Sequence, residues 1–189
     1  ILLPSEDMMD KAIEVNRKLL EISDNEIRLN KVNCLPHITL AMGCVRKEDI
    51  EEIDKILENL TDKFKTLHLK TVSSAESKAW FRIEDNKNLQ LLHETLMNKL
   101  LPYFTYDATK EMIYKSKDEE INDLTLNYIK NFPSKSSLEN YIPHITVSSY
   151  DTDMILPEVE FTISEIALCH LGNHCTCGRV FLSHALREK

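Results

Sequence analysis

The sequence predicts an α+β fold rich in antiparallel sheet. Three observations predict it. Apolar residues recur at helical spacing in several separate windows, they alternate at strand spacing in others, and the last quarter reads almost entirely as strand. Only three glycines and six prolines punctuate the 189 residues, which leaves most of the chain for regular elements joined by short connections.

In order along the chain, Ile1-Leu2-Leu3 before Pro4 reads as the tail of a strand. Ser5 stands where a helix N-cap belongs, with Glu6 and Asp7 in the first turn, where carboxylates favour the helix dipole. Met9, Ile13, Val15, Leu19, Leu20 and Ile22 keep an apolar side on that helix. Residues 33–42 read as a short, largely buried strand. Ile50, Ile53, Leu57 and Leu60 follow helical spacing on an acid-rich background. Strands are expected over Thr66–Val72 and Ala79–Ile83, then a helix carrying Leu89, Leu92, Leu96 and Leu100 that Pro102 stops. Asp118 begins a further helix through Ile121, Leu124 and Tyr128, which Pro133 ends, with 133–137 as a loop. Strands over Ile142–Ser148, Val159–Leu171 and Arg179–Leu186 close the chain, the last two joined by a turn containing Gly172-Asn173 and Gly178. Residues 103–140 carry the weakest pattern; their role is open from the sequence, a segment there having the position and length of a lid or specificity loop.

Charge narrows the partners. Lys and Arg number 23 against 31 Asp and Glu, a formal net charge of −8, and no basic run exceeds two residues. A protein that tracks a long duplex draws most of its affinity from neutralised phosphates. No such partner is expected here, whereas a small phosphorylated ligand in a local pocket is compatible. No apolar run approaches the roughly 20 residues of a membrane helix and no leader segment is visible, so a cytoplasmic monomer is the expectation. Five cysteines (Cys34, Cys44, Cys169, Cys175, Cys177) in a chain of this size point to a reducing compartment. The cluster His170, His174, Cys175, Cys177 invites a zinc reading, but it lacks the C-x₂₋₄-C spacing and straddles an expected turn, so no metal or other cofactor is assigned.

One internal repeat carries the chemistry. Leu35-Pro36-His37-Ile38-Thr39-Leu40 recurs as Ile142-Pro143-His144-Ile145-Thr146-Val147. On a strand, residues i and i+2 point the same way. Each unit therefore projects an imidazole and a hydroxyl together from otherwise apolar backbone, as His37 with Thr39 and His144 with Thr146. Burying such a pair without partners costs a few kcal/mol, so both belong beside a cleft. A single unit of this kind is explained by a core histidine; the recurrence of the whole unit is not.

Paired His-x-Thr-x units, each on a strand and half a chain apart, resemble those of the 2H phosphoesterase superfamily, which includes 2′-5′ RNA ligase-like proteins, RNA cyclic phosphodiesterases and 2′,5′-phosphodiesterases. The likeness extends to Ala79-Trp80-Phe81-Arg82-Ile83 followed by Leu89–Leu100, and to Phe161–Leu182 as a closing hairpin. It departs at Met42, where the family often has an aromatic residue, and at Ser149, where RNA cyclic phosphodiesterases usually carry arginine. The resemblance implies a bilobal fold of two pseudo-twofold-related β-α-β lobes, roughly 1–75 and 76–189, around one cleft. It also implies metal-independent cleavage of a small nucleotide phosphodiester, a 2′,3′-cyclic phosphate or a 2′,5′-linked oligonucleotide. His37 and His144 would then be the acid and base, and Thr39 and Thr146 would hold phosphate oxygens. Two imidazoles suit that task because a pKa near 6.5 leaves one neutral and one protonated near pH 7. Ligation, the reverse reaction, and a non-catalytic nucleotide- or phosphate-binding module on the same fold are the alternatives.

Trp80, Phe81, Tyr141 and Tyr150 are candidates to stack on a base, although residues of this kind more often belong to a core or its rim. Lys78 and Arg82 are candidates for local positive charge, against the simpler reading of solvated strand ends.

Overall fold

A computed structural model describes residues 1–73, 79–115 and 119–188. Its strands are β1 (Leu2–Pro4), β2 (Leu67–Val72), β3 (Trp80–Ile83), β4 (His144–Thr146), β5 (Glu160–Leu171) and β6 (Cys177–Ala185). Its α-helices are α1 (Glu6–Ile22), α2 (Ile50–Lys63), α3 (Lys87–Leu100) and α4 (Asp123–Lys135). The strands form a six-stranded sheet in the order β1-β5-β2-β3-β4, with β6 also on β5, and each pairing between them is antiparallel. This is the α+β class the periodicity predicts.

β5 is the spine. Ile163 pairs with Pro4 on one edge and Leu67 on the other. Beyond β2, the same edge is taken by β6 from Glu165 to Leu171. In β2 the alternation places Leu67, Leu69 and Thr71 inward. α2 packs on β5 and β6 through Ile53, Leu57 and Leu60, all buried, each contributing about 1.5–3 kcal/mol of hydrophobic stabilisation. These side chains merge with Met8 and Leu19 of α1 and Leu89, Leu92 and Leu96 of α3 into the main core. Asn86 caps α3, its side chain accepting from the Asn88 and Leu89 amides. Among the described residues no helix is long and apolar enough to cross a membrane.

Three expectations change. Residues 33–42 are not a ladder strand. They form an extended segment pinned by isolated bridges, Leu35 to Cys177 and Ile38 to Leu2, because β1 is three residues long and cannot support a longer pairing. Ser5 occupies the α1 N-cap position, but its side chain caps nothing; its carbonyl accepts the Met9 amide instead (2.9 Å). Pro133 lies inside the last turn of α4 rather than ending it. A proline there forfeits one backbone hydrogen bond at an end that frays in any case. The expected start of this helix at Asp118 lies outside the described residues; α4 begins after Asn122, whose side chain accepts from the Leu124 amide.

Described residues of 103–140 contribute to packing. Met42, Met97, Ile113, Ile121, Ile129 and Phe132 form a second apolar cluster, and Cys44 pairs with Thr105 through reciprocal backbone hydrogen bonds of 2.7 and 2.9 Å. At Gly43 an added Cβ would come within 2.8 Å of the Phe104 ring, so the absence of a side chain is what lets Phe104 lie against this backbone.

Candidate functional site

The second motif sits on β4, the terminal strand of the path, paired with β3 so that Arg82 faces His144, Phe81 faces Ile145 and Trp80 faces Thr146. Alternation divides these residues cleanly. Phe81 and Ile145 turn into the core, Phe81 only 1% exposed, while Trp80, Arg82, His144 and Thr146 share the other face. Trp80 lies over His144 with ring centroids 5.0 Å apart. The stacking expectation therefore transfers to Trp80 and fails for Phe81, whose position in the strand commits it to packing. Tyr150 is 53% exposed just beyond β4. Arg82 lies 4.0 Å from the Asp85 carboxylate and opposite His144 in the β3–β4 pairing. Lys78 lies outside the described residues.

Each motif histidine makes the same local contact. Nδ1 of His37 donates to the Leu35 carbonyl (2.8 Å) and Nδ1 of His144 to the Ile142 carbonyl (2.7 Å). A carbonyl only accepts, so Nδ1 carries the proton in both rings and Nε2 is left for exchange. His37 is lowered to about 4, chiefly by burial; the Leu35 carbonyl offsets part of the loss, and the charges of the Ile1 amino group and then of His144 add to it. His144 is lowered by burial, partly offset by the Ile142 carbonyl. The Thr39 and Thr146 hydroxyls have no side-chain hydrogen-bond partner among the described residues.

The support of these segments is not visible in the motif. His93, from α3, is 0% exposed. Its Nδ1 donates to the Leu40 carbonyl (2.6 Å) and its Nε2 accepts from the Leu138 amide (2.8 Å). One ring thus ties the first motif to the turn leading into the second. Tyr141 stacks on it, ring centroids 3.9 Å apart and planes within 6°, and donates its hydroxyl to the Thr39 carbonyl (3.0 Å). Tyr141 is accordingly a brace between the motifs rather than a stacking platform for substrate.

Behind the second motif, two buried asparagines do the same work. Asn16 Nδ2 donates to the Ile27 and Val147 carbonyls (2.8 Å each) while its Oδ1 accepts from the Leu29 amide. Asn25 donates to the Val147 carbonyl and accepts from the Ser149 amide. Ser149, the position at which an arginine is expected in RNA cyclic phosphodiesterases, is a structural serine here: its hydroxyl accepts from the Glu26 amide (2.9 Å) and donates to Asn25 (3.3 Å).

The C-terminal His/Cys cluster disperses. His170 Nε2 donates to the Met112 carbonyl, His174 Nε2 lies 2.9 Å from the Glu26 carboxylate, and Cys177 is buried. Burial pushes the Cys175 thiol up to about 12. Among the described residues no group of three or more His, Cys, Asp or Glu side chains is placed to hold a metal ion.

A comparison with curated proteins returns no match. A family model, the 2′-5′ RNA ligase superfamily, matches residues 28–182, a span that contains both His-x-Thr units and nearly every element that positions them, and the chain belongs to that superfamily of 2H phosphoesterases.

Proposed function

We propose that this protein is a metal-independent phosphodiesterase acting on a small nucleotide phosphodiester, a 2′,3′-cyclic phosphate or a 2′,5′-linked oligonucleotide, through two-histidine acid–base catalysis. Membership of the superfamily supports phosphoester chemistry of the phosphodiesterase or RNA-ligase type. The observation that carries the finer reading is the matched pair of Nδ1–carbonyl contacts, which gives both rings the same tautomer and leaves Nε2 of each for proton exchange.

For a cyclic phosphate, one Nε2 takes a proton from water as the water oxygen bonds to phosphorus. The opposite phosphorus–oxygen bond to the ribose breaks, and the other ring, protonated at Nε2, gives its proton to that oxygen. In-line displacement requires the two rings on opposite sides of the phosphate. Charge gathers on the non-bridging oxygens, where the Thr39 and Thr146 hydroxyls donate. In a 2′,5′-linked substrate the neighbouring 3′-hydroxyl takes the place of water. Reversal exchanges the roles of the rings and describes ligation. In this reading lobe one, about 1–75, and lobe two, about 76–189, each contribute one motif.

The test is a panel of 2′,3′-cyclic nucleotides and 2′,5′-linked dinucleotides, with the product read as 2′- or 3′-phosphate. His37→Ala and His144→Ala are each expected to lose about 10²–10⁴ in turnover while the circular dichroism of the fold is retained. Unchanged rates in both variants would end the proposal, and binding without turnover in the parent protein would favour the binding-module alternative.

A further inference from the structure

His37 and Thr39 line one part of a cavity of ≈ 620 Å³ whose remaining wall is dominated by apolar side chains, among them Met42, Leu57, Leu100 and Phe104. Its volume is about four times the ~150 Å³ of an apolar cavity that stays dry and takes up benzene. It also falls within the roughly 300–1,000 Å³ of small-molecule sites. Met112 and Phe181, 49% and 47% exposed, also line it. Large apolar side chains left half in water beside an apolar chamber form an entrance that an apolar group would cover.

Several polar groups of the wall have partners already: the Ile1 amino group donates to the Ala167 carbonyl, Arg46 holds Asp49 (2.8 Å), His170 donates to the Met112 carbonyl, and Thr105 Oγ1 accepts from the Asp107 amide. A nucleobase edge laid against the apolar stretch of Met42, Leu57, Leu100 and Phe104 would give up its hydrogen bonds to water for none from these side chains, at a cost that a hydrocarbon does not incur.

We propose that this chamber seats an alkyl or aryl group esterified to the reacting phosphate, so that the substrate is an amphiphilic phosphodiester with its apolar alcohol on the His37 side. The inference rests on the phosphodiesterase reading for its phosphate and on the chamber for its apolar arm. A nucleoside would then occupy the Trp80–His144 side, and the apolar alcohol would depart with the proton delivered by His37.

Two measurements separate the parts. The first compares kcat/KM for uridine 2′-(hexyl phosphate) and uridine 2′-(methyl phosphate), whose free 3′-hydroxyl is the nucleophile, in the parent protein and in Phe181→Glu. The second compares binding of hexyl phosphate and methyl phosphate to His37→Ala by calorimetry, where turnover plays no part. Each buried methylene strengthens binding roughly fourfold, so three seated methylenes give a hexyl-to-methyl ratio of roughly fiftyfold. That ratio is expected in both measurements and should fall toward one in Phe181→Glu, a comparison that cancels any general loss of folded protein. A ratio near one in the parent turnover and in the binding measurement would overturn the chamber. Preferential binding of hexyl phosphate with no turnover of either diester would support the chamber and overturn the phosphodiesterase reading alone.

Discussion

Replacing His93 by phenylalanine tests whether the two motifs are held together by one buried ring. The substitution keeps an aromatic plane for Tyr141 to stack on but removes both ring nitrogens. The Leu40 carbonyl and the Leu138 amide are then unpaired in a site where His93 is fully buried. Each such group costs about 1–3 kcal/mol, so the loss is about 2–6 kcal/mol of the ~5–15 kcal/mol typical of a domain. At about 2–4 °C per kcal/mol for a chain of this length, the melting temperature should fall by roughly 4–24 °C. Urea unfolding at pH 7.5 measures the loss directly. A pH series adds a second readout. Nε2 must stay unprotonated to accept from Leu138, and His93 is lowered in the folded state, chiefly by burial. The unfolded chain therefore binds the proton first as pH falls, and the stability this ring supplies is complete above about 6.5 and shrinks below it, toward the depressed folded pKa. His93→Phe should lose that component of the pH dependence, leaving the part due to His37 and His144. A destabilisation under 0.5 kcal/mol, or an unaltered pH slope, would refute the brace.

In the proposed mechanism His37 and His144 set the pH profile. With both lowered by burial, the singly protonated free enzyme is populated at acid pH, so kcat/KM should peak below 6.5. A bound phosphate anion favours the imidazolium, so the kcat optimum should lie higher than that of kcat/KM; coincident optima at or above 7 would contradict the geometry. Trp80 is the only tryptophan and lies 5.0 Å from the His144 ring. Its emission should therefore be quenched as His144 becomes cationic, with a midpoint below 6.5 that rises when inorganic phosphate binds; a pH-independent emission would separate the two rings. Asn16→Leu strands the Ile27 carbonyl and the Leu29 amide, for an expected loss of about 2–6 kcal/mol in urea unfolding. A loss below 1 kcal/mol would mean the segment behind the second motif is held elsewhere.

Elements whose burial is periodic were legible from the chain alone. The spacing of Ile53, Leu57 and Leu60 marks α2 because one helical face meets the sheet, and the alternation over 160–163 marks the start of β5 because Phe161 and Ile163 meet the core. Residues 33–42 misled because apolar, β-favouring composition records burial, not pairing. The segment is buried between β1, β6 and α3 without a ladder of its own. Pro133 misled for the complementary reason: proline excludes a helix interior, and the last turn is not an interior. The packing role of Phe104, Ile113 and Ile121 was illegible because they meet Met42 and Met97, far away in sequence.

The candidate site divides along the same line. The groups proposed to react are visible as a repeat because both segments need the same chemistry at the same offset. What prepares them is backbone geometry, and backbone carbonyls leave no trace in residue identity: Leu35 and Ile142 set the tautomers through atoms that every residue possesses. His93 had a side chain to betray it, but its 0% exposure and its place on the apolar face of α3 make it look like one more core position. The distinguishing feature is the demand of two opposite partners, an acceptor at Nδ1 and a donor at Nε2, which only a neutral imidazole meets. Glutamine presents an acceptor and a donor too, but not on a flat ring that Tyr141 can cover. The same demand explains why the brace resists exchange for a purely apolar ring: the two stranded backbone groups belong to the segments that carry Thr39 and lead to His144, so the cost of leaving them unpaired falls on the geometry the proposed proton transfers require.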